Sequence, residues 1–376
     1  MNNYPEVVLH EGREESALFG HPWIFSKAIK KAPLSCSIIN IISHKGDFVG
    51  VGSYNPAQTI AIRLFDKKKV TLDEEWFFKR LKSLIAYREI LLPNATTYRL
   101  CFGESDGIPG LVIDRYGESV SLQINTQGIN LLIEPIRKAL KHLSFTEIFE
   151  KTSDQENLKA LPQKEALLWC KEKDLYIALR PGSQKTGWFC DQRENREILA
   201  GLNAKTVLNL FSFSGGFSLA CLKKGSQLIV NVDRDIESLK LFDLMKKKNN
   251  LEGIHENHTE DCWDFLKKEL RLFDLVICDP PAFVKQREKK TAALKGYKDI
   301  FISSIKRVQP AGFLAVFSCS YYMSLDDLEF ALRQAYQITG RFFQTVEILQ
   351  QPLDHPVPAY FPEGRYLKGF LLKELL

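Results

Sequence analysis

Metal-binding spacing is the first thing this sequence lacks. None of its eight cysteines (Cys36, Cys101, Cys170, Cys190, Cys221, Cys262, Cys278 and Cys319) stands at C-x-x-C spacing from another. A structural zinc site built on such pairs is therefore not expected, and no metal is assigned. No apolar run reaches the roughly 18–20 residues that a membrane helix needs, which argues against a membrane partner. The opening residues MNNYPEVVLH carry no signal-peptide pattern. A cytoplasmic protein with reduced thiols is expected, most of them small core residues. Internal repeats and low-complexity tracts are missing too. So is a large excess of charge: 51 Lys and Arg stand against 46 Asp and Glu, a net of +5. Composition alone does not require a nucleic-acid partner, and only clustered charge argues for one.

What is present fits a soluble globular chain. It has 376 residues, 45% hydrophobic and 26% charged, enough for two or three domains. Residues 1–70 read as short strands, among them Phe48, Val49 and Val51 after the turn pair Gly46-Asp47, and TIAIRLF over 59–65. This predicts a small β-barrel. From Asp73, a fair N-cap, Trp76, Phe77, Leu81, Leu84 and Ile85 recur at helical spacing until Pro93-Asn94. Strands return between Tyr98 and Arg180 around one helix near 130–142, with a hairpin across Tyr116-Gly117. Residues 73–185 are expected to form an α+β middle domain. From 186 to 376 strands and helices alternate, with strands at Val207–Phe211, Leu228–Val232, Leu275–Cys278 and Phe313–Ser318. That rhythm predicts a Rossmann-like α/β domain on a parallel sheet, and the continuous apolar runs predict cover on both faces.

The chemistry concentrates between Leu208 and Pro281. TVLNLFSFSGGFSLACLKKG reads as strand, glycine turn and helix, with Gly215 and Gly216 admitting a ligand close to the backbone. Asp233 ends the next strand, eighteen residues after Gly215, where a carboxylate can accept from both hydroxyls of a ribose. The dinucleotide pattern G-x-G-x-x-G is absent, and Phe211, Phe213 and Phe217 make a bulky turn suited to a ligand without pyrophosphate. Asp261 is a candidate partner for an adenine, or simply a helix cap. FDLVICDPPAF (273–283) ends an apolar strand in Asp279, followed by Pro280 and Pro281, which lack amide donors and stiffen the backbone so that nearby carbonyls project outward. The ligand these features fit is S-adenosylmethionine.

A Pro-Pro clamp serves methylation of exocyclic amines and of ring carbons alike. Cys319 separates the two. It lies just past the strand GFLAVFSCS, at the rim expected to hold Asp279. Carbon 5 of a pyrimidine is a poor nucleophile, and adding a thiolate to carbon 6 makes it enolate-like. Cys278, one residue from Asp279 on an alternating strand, is expected to face away into the core. After the clamp, Lys285, Arg287, Lys289, Lys290, Lys295 and Lys298 face only one acid, Glu288. Lys285, Arg287, Lys289, Lys290 and Lys298 are candidate RNA contacts, the alternative being a solvated charged segment.

Together these motifs resemble the RlmI-like family of large-subunit ribosomal RNA cytosine methyltransferases. The resemblance spans nearly the whole chain: HPWIFS (21–26), GVGSYNP (50–56), ESDGIPGLVIDRYG (104–117), QKTGWFCDQRENR (184–196), LNLFSFSGGFS (208–218), CDPPAF (278–283), GYKD (296–299), FSCS (317–320), HPV (355–357) and PEGRYLKGF (362–370). It implies a PUA-type barrel, an α+β middle domain and a class I methyltransferase domain, with S-adenosylmethionine as cofactor and 5-methylcytosine in ribosomal RNA as product. It implies a cofactor pocket of Phe211, Ser212, Ser214, Gly215, Phe217, Asp233, Asp261, Asp279 and Pro280, with Asp191 and Arg193 at its entry, and Cys319 as nucleophile. Asp191 is also a natural N-cap for RENREILAGL. Better-known RNA cytosine methyltransferases carry a second cysteine just after the proline that follows the strand corresponding to Leu275–Cys278. Ala282 and Phe283 stand here, so the base of the release step is open, with Asp279 a candidate. A homodimer is compatible with the sequence. Two other readings compete: an exocyclic-amine RNA methyltransferase, and a non-catalytic RNA-binding protein with a vestigial pocket.

Overall fold

The computed structural model describes residues 3–152, 167–180, 187–283 and 290–375. Backbone packing divides them into two compact units. The first takes residues up to 173, 179–190 and 353–365; the second takes 174–178, 191–352 and 366 onward.

The first unit begins with β1 (Glu6–Leu9), α1 (Glu15–Leu18), β2 (Trp23–Phe25), β3 (Ile29–Lys31), β4 (Ser37–Ile42), β5 (Phe48–Tyr54) and β6 (Ile60–Asp66). Their sheet has the order β2-β6-β5-β4-β1-β3. The two outermost strands are joined by a single 3₁₀ turn, Ser26–Ala28, so the sheet curls enough for three residues to connect its edges. Next come α2 (Glu74–Leu91), β7 (Thr97–Phe102), β8 (Leu111–Tyr116), β9 (Ser119–Ile124), α3 (Gln127–Leu131), α4 (Ile133–His142) and β10 (Glu147–Thr152). Asp73 caps α2 by accepting from the Trp76 amide at 3.0 Å. The four strands order as β10-β9-β8-β7, and Phe77, Leu81, Leu84, Ile136 and Leu140 pack α2 and α4 into one core with Leu100, Ile113 and Leu122. The single helix expected near 130–142 is split in two at Leu132. In chain order, β11 (Leu168–Glu172) and β12 (Leu175–Leu179) follow.

The second unit contains α5 (Arg193–Ala200), β13 (Thr206–Leu210), α6 (Gly216–Lys223), β14 (Leu228–Asp233), α7 (Ile236–Lys248), β15 (Ile254–Thr259), α8 (Cys262–Lys268), β16 (Phe273–Cys278), α9 (Lys290–Ile305), β17 (Val308–Ser318), α10 (Leu325–Thr339), β18 (Phe343–Gln350) and β19 (Lys368–Glu374). The seven strands order as β15-β14-β13-β16-β17-β19-β18. The first five are parallel and β19 runs antiparallel to both neighbours. From β13 the chain winds outward through β14 and β15, then returns to β16 on the other side. A crevice opens at such a reversal, outside the carboxyl ends of the strands. The register aligns Val232, Leu210, Cys278 and Val316 across four strands. Phe211, Asp233 and Asp279 lie one residue beyond that row, and Cys319 three beyond.

A buried polar chain fixes α6 on the sheet. Asn209 Nδ2 donates to Ser218 Oγ at 2.9 Å, Ser218 Oγ donates to Asn231 Oδ1 at 2.5 Å, and Asn231 Nδ2 donates to Asn257 Oδ1 at 3.0 Å. The link runs from helix to three adjacent strands, and all of Asn209, Ser218 and Asn231 are buried. Removing one member of a buried network leaves its partners unsatisfied, at about 1–3 kcal/mol. Ser218→Ala is expected to destabilise the protein by that amount in urea denaturation, and an unchanged midpoint would show the network to be dispensable.

Candidate active site

The turn after β13 is built from conformations that side chains resist. Phe211 has φ +56° and Phe213 φ +49°, both left-handed, and Gly215 follows at φ +71°. Each such non-glycine residue costs about 1–3 kcal/mol and persists only where its surroundings hold it. Here the Phe211 amide donates to Cys262 Sγ at 3.2 Å, the Phe213 amide to Asp233 Oδ2 at 2.7 Å, and the Ser212 amide to the Val232 carbonyl at 3.0 Å. At Gly215 a Cβ would come 2.4 Å from Phe242 Cδ2, so glycine is required twice over. The turn delivers the start of α6 to the carboxyl edge of the sheet.

Asp233 is held by two amides, since Asp235 N also donates to its Oδ1 at 2.9 Å. Each carboxylate oxygen retains a lone pair for a further donor. Ser212 is buried, and its Oγ has no hydrogen-bond partner among the described residues. A buried hydroxyl in that state beside an oriented carboxylate suits a polar ligand better than an empty turn. S-adenosylmethionine fits this donor set.

The other expected cofactor residues divide by what they touch. Asp261 acts as the N-cap of α8, accepting from Trp263 N at 2.9 Å and Asp264 N at 3.3 Å, and its second oxygen pairs with Arg234. Ser214 and Phe217 are buried, with the Phe217 ring 5.5 Å from that of Phe317. Asp191 does not cap α5: it sits in a 3₁₀ turn, Gln192 is the N-cap, and Asp191 Oδ2 accepts from the Tyr366 hydroxyl at 2.6 Å. The extra 3₁₀ turn moves the helix start one residue past the expected cap. Arg193 is the buried first residue of α5.

Asp279 and Pro280 stand just beyond β16. Gln192 Nε2 donates to Asp279 Oδ2 at 3.0 Å, and Gln192 Oε1 in turn accepts from Asn195 Nδ2 at 2.6 Å. This positioning pair was not singled out in the sequence, although both residues lie within QKTGWFCDQRENR. Cys278 is fully buried, its thiol pushed up to about 12 by desolvation, and is a core residue.

Cys319 is half-buried. The residues on either side of it are tied together: Tyr297 Oη is 2.7 Å from Ser318 Oγ and 3.2 Å from Ser320 Oγ, and the Ser320 amide donates to Ser318 Oγ at 3.3 Å. Burial pushes the Tyr297 hydroxyl up to about 12, keeping it a neutral hydrogen-bonding bridge. An aromatic line runs from the strained turn towards this bridge, with ring centroids 5.5 Å apart for Phe211 and Trp263, 5.7 Å for Trp263 and Phe283, and 4.7 Å for Phe283 and Tyr297.

The candidate RNA residues are only partly in view. Lys285, Arg287 and Lys289 lie outside the described residues. Lys290 and Lys298 are on a helix rather than in a loop, because Ala293, Tyr297, Ile300, Phe301 and Ser304 bury one face of α9. Lys290 pairs with Asp327 at 2.6 Å and Lys298 with Asp299 at 3.6 Å.

Comparison with known proteins completes the picture. A model of a PUA-like domain matches residues 7–67, and one of an S-adenosylmethionine-dependent methyltransferase matches residues 138–356. The chain is similar to proteins named ribosomal RNA large subunit methyltransferase I from Salmonella typhi and Salmonella typhimurium, 33% identical over 394 residues, 98% of this chain and 97% of theirs. In fold it is similar to a methyltransferase crystallised with S-adenosylhomocysteine (TM-score 0.84, 21% identity, 98% of this chain and 100% of that one). Another solved structure, titled a SAM-dependent methyltransferase from Streptococcus mutans, has TM-score 0.82, 22% identity and the same coverage. Strand order, reversed final strand and cofactor turn define a class I S-adenosylmethionine-dependent methyltransferase preceded by a PUA-like domain. Within that class, the chain belongs to the ribosomal RNA large subunit methyltransferase I family. No described helix is long and apolar enough to cross a membrane.

Asp233→Ala removes the carboxylate expected to accept from a ribose and the clamp on Phe213. It is expected to weaken S-adenosylmethionine binding at least about tenfold, roughly 1.4 kcal/mol, by calorimetry. Unaltered affinity would move the ribose site elsewhere.

Proposed function

We propose that this enzyme methylates carbon 5 of a cytosine in large-subunit ribosomal RNA, with Cys319 as covalent nucleophile. The observation that carries the reading is a half-buried cysteine three residues beyond the strand row whose next residues are Phe211, Asp233 and Asp279. The curated relatives' printed name supports ribosomal RNA as substrate.

The fit of the crevice to S-adenosylmethionine rests on Ser212 and Asp233. Phe211, Ser214, Gly215, Phe217, Asp261, Asp279, Pro280, Asp191 and Arg193 complete the proposed binding set, most of them by shaping or bracing the turn and the clamp. When bound, the cofactor supplies an electrophilic methyl group. The chain's own part is to make cytosine accept it. The Cys319 thiolate adds to carbon 6, and the C5=C6 pair becomes nucleophilic at carbon 5. Once carbon 5 carries the methyl, a base takes the proton from carbon 5, the double bond re-forms and the thiolate leaves carbon 6. Asp279, held by Gln192, is the carboxylate we assign to that proton. The rigid Pro280-Pro281 backbone orients the base. A cytosine in a duplex has to be flipped out first, which a loop or single strand avoids. We further propose that residues 1–70, with Lys290 and Lys298, engage the RNA, while 186–376 carry the chemistry.

Cys319→Ala is expected to abolish methylation together with any covalent RNA adduct, and bisulfite sequencing of ribosomal RNA from a deletion strain should show one cytosine losing its mark. Retained activity in Cys319→Ala, with no cytosine changed, would instead indicate transfer to an exocyclic amine.

A further inference from the structure

Lys368 is a charged side chain in an unfavourable place. It opens β19, between β17 and β18, paired in register with Ser318 on one side and Gln350 on the other. It is only 8% exposed. An ammonium buried to that degree needs compensation, and a methionine of similar length would need none. Its Nζ donates to the Ser320 carbonyl at 3.0 Å, a neutral dipole that answers one of three donors. Burial pushes the Lys368 amine below its ordinary range, and the negative charges acting to restore it are those of Cys319 and Asp327. Asp327, on α10, is already committed: it pairs with Lys290 of α9 at 2.6 Å and accepts from Ser324 N at 2.8 Å in a capping box. The remaining group facing this corner from α9 is Tyr297, a neutral phenol. Asp279, whose charge also reaches Tyr297, is held by Gln192 and is not among the charges acting on Lys368. The anion left to match the buried cation is therefore the thiolate that follows Ser318, the cross-strand partner of Lys368.

We propose that the Lys368 ammonium is the counter-ion of the Cys319 thiolate, keeping the nucleophile ionised before RNA binds and receiving it again when the C6–S bond breaks. This rests on the assignment of Cys319 as nucleophile. Lys368 acts through Cys319 and is a positioning residue. Its hydrogen bond to the Ser320 carbonyl fixes the ammonium to the residue that follows Cys319. Buried charges whose protonation is strained in this way cluster at functional sites.

The test needs no RNA. Iodoacetamide alkylation of Cys319 in the full-length protein is followed against pH by peptide mass spectrometry, in wild type, Lys368→Gln and Lys368→Arg. Gln keeps a donor for the Ser320 carbonyl and removes the charge; Arg keeps the charge. The wild-type midpoint is expected below the ordinary cysteine value of about 8.5. Lys368→Gln should raise it by about one unit, slowing alkylation at pH 7 roughly tenfold, and Lys368→Arg should stay close to wild type. Equal midpoints in wild type and Lys368→Gln would overturn the proposal. Should Lys368→Gln not fold, a wild-type midpoint at or above about 8.5 overturns it equally, and one well below supports it. Methylation by Cys319→Ala tests the nucleophile separately, because the alkylation midpoint reports the ion pair whether or not the sulfur attacks RNA.

Discussion

The hydrogen bond from the Phe213 amide to Asp233 holds together two things that sequence separates by twenty residues. Phe211 and Phe213 sit in left-handed conformations that cost free energy on their own. The carboxylate that restrains this turn is also the one proposed to accept from the cofactor's ribose. The same bond therefore keeps the start of α6 at the sheet edge and holds that carboxylate in place. Cys262 reinforces it from α8, where its sulfur receives the Phe211 amide. Its thiol is pushed far up by burial, so it serves here as a neutral acceptor.

The opposite end of the crevice uses a different device. Around Cys319 the backbone is braced by hydroxyls, with Tyr297 bridging two serines, and by a lysine on an antiparallel strand. Such bracing limits where the intervening residue can go, which would suit the proposed nucleophile, one that must form and break a bond at one place. The line of rings from Phe211 through Trp263 and Phe283 to Tyr297 gives the two ends a shared packing surface. Close-packed aromatic contacts of this kind transmit displacement instead of absorbing it.

Much of this was legible in the chain because the relevant signals are local. Strands β13, β14, β16 and β17 announce themselves as apolar runs, Asp73 caps α2 as its type suggests, and Cys278 is buried as strand alternation requires. Strand β15, IHENHT, is expected before Asp261 only from its place in the series, because it is a polar edge strand with no apolar face of its own. Asp191 was misjudged by one residue, since a 3₁₀ turn cannot be told from the first turn of an α-helix by residue type. Lys290 and Lys298 lie on a helix whose buried face is clear only once Tyr297 and Phe301 have a sheet to pack on. Gln192 and Lys368 were beyond reach for a deeper reason. Each acquires its role from a partner far along the chain, Asp279 for one and Ser320 for the other, and no spacing rule encodes a pairing made by sheet topology.

That topology also bears on how the protein is made. Strand β19 is the last of the seven in the chain, yet it fills the gap between β17 and β18. Until it arrives, β18 has no partner within the sheet, and the strand leading to Cys319 presents an open edge of unpaired amides and carbonyls. An open edge of that kind is where pairing with another chain competes with pairing to its own, so β19 also shields the strand that precedes Cys319. In place, the one strand closes that edge, gives β18 its partner and sets Lys368 beside the Ser-Cys-Ser turn.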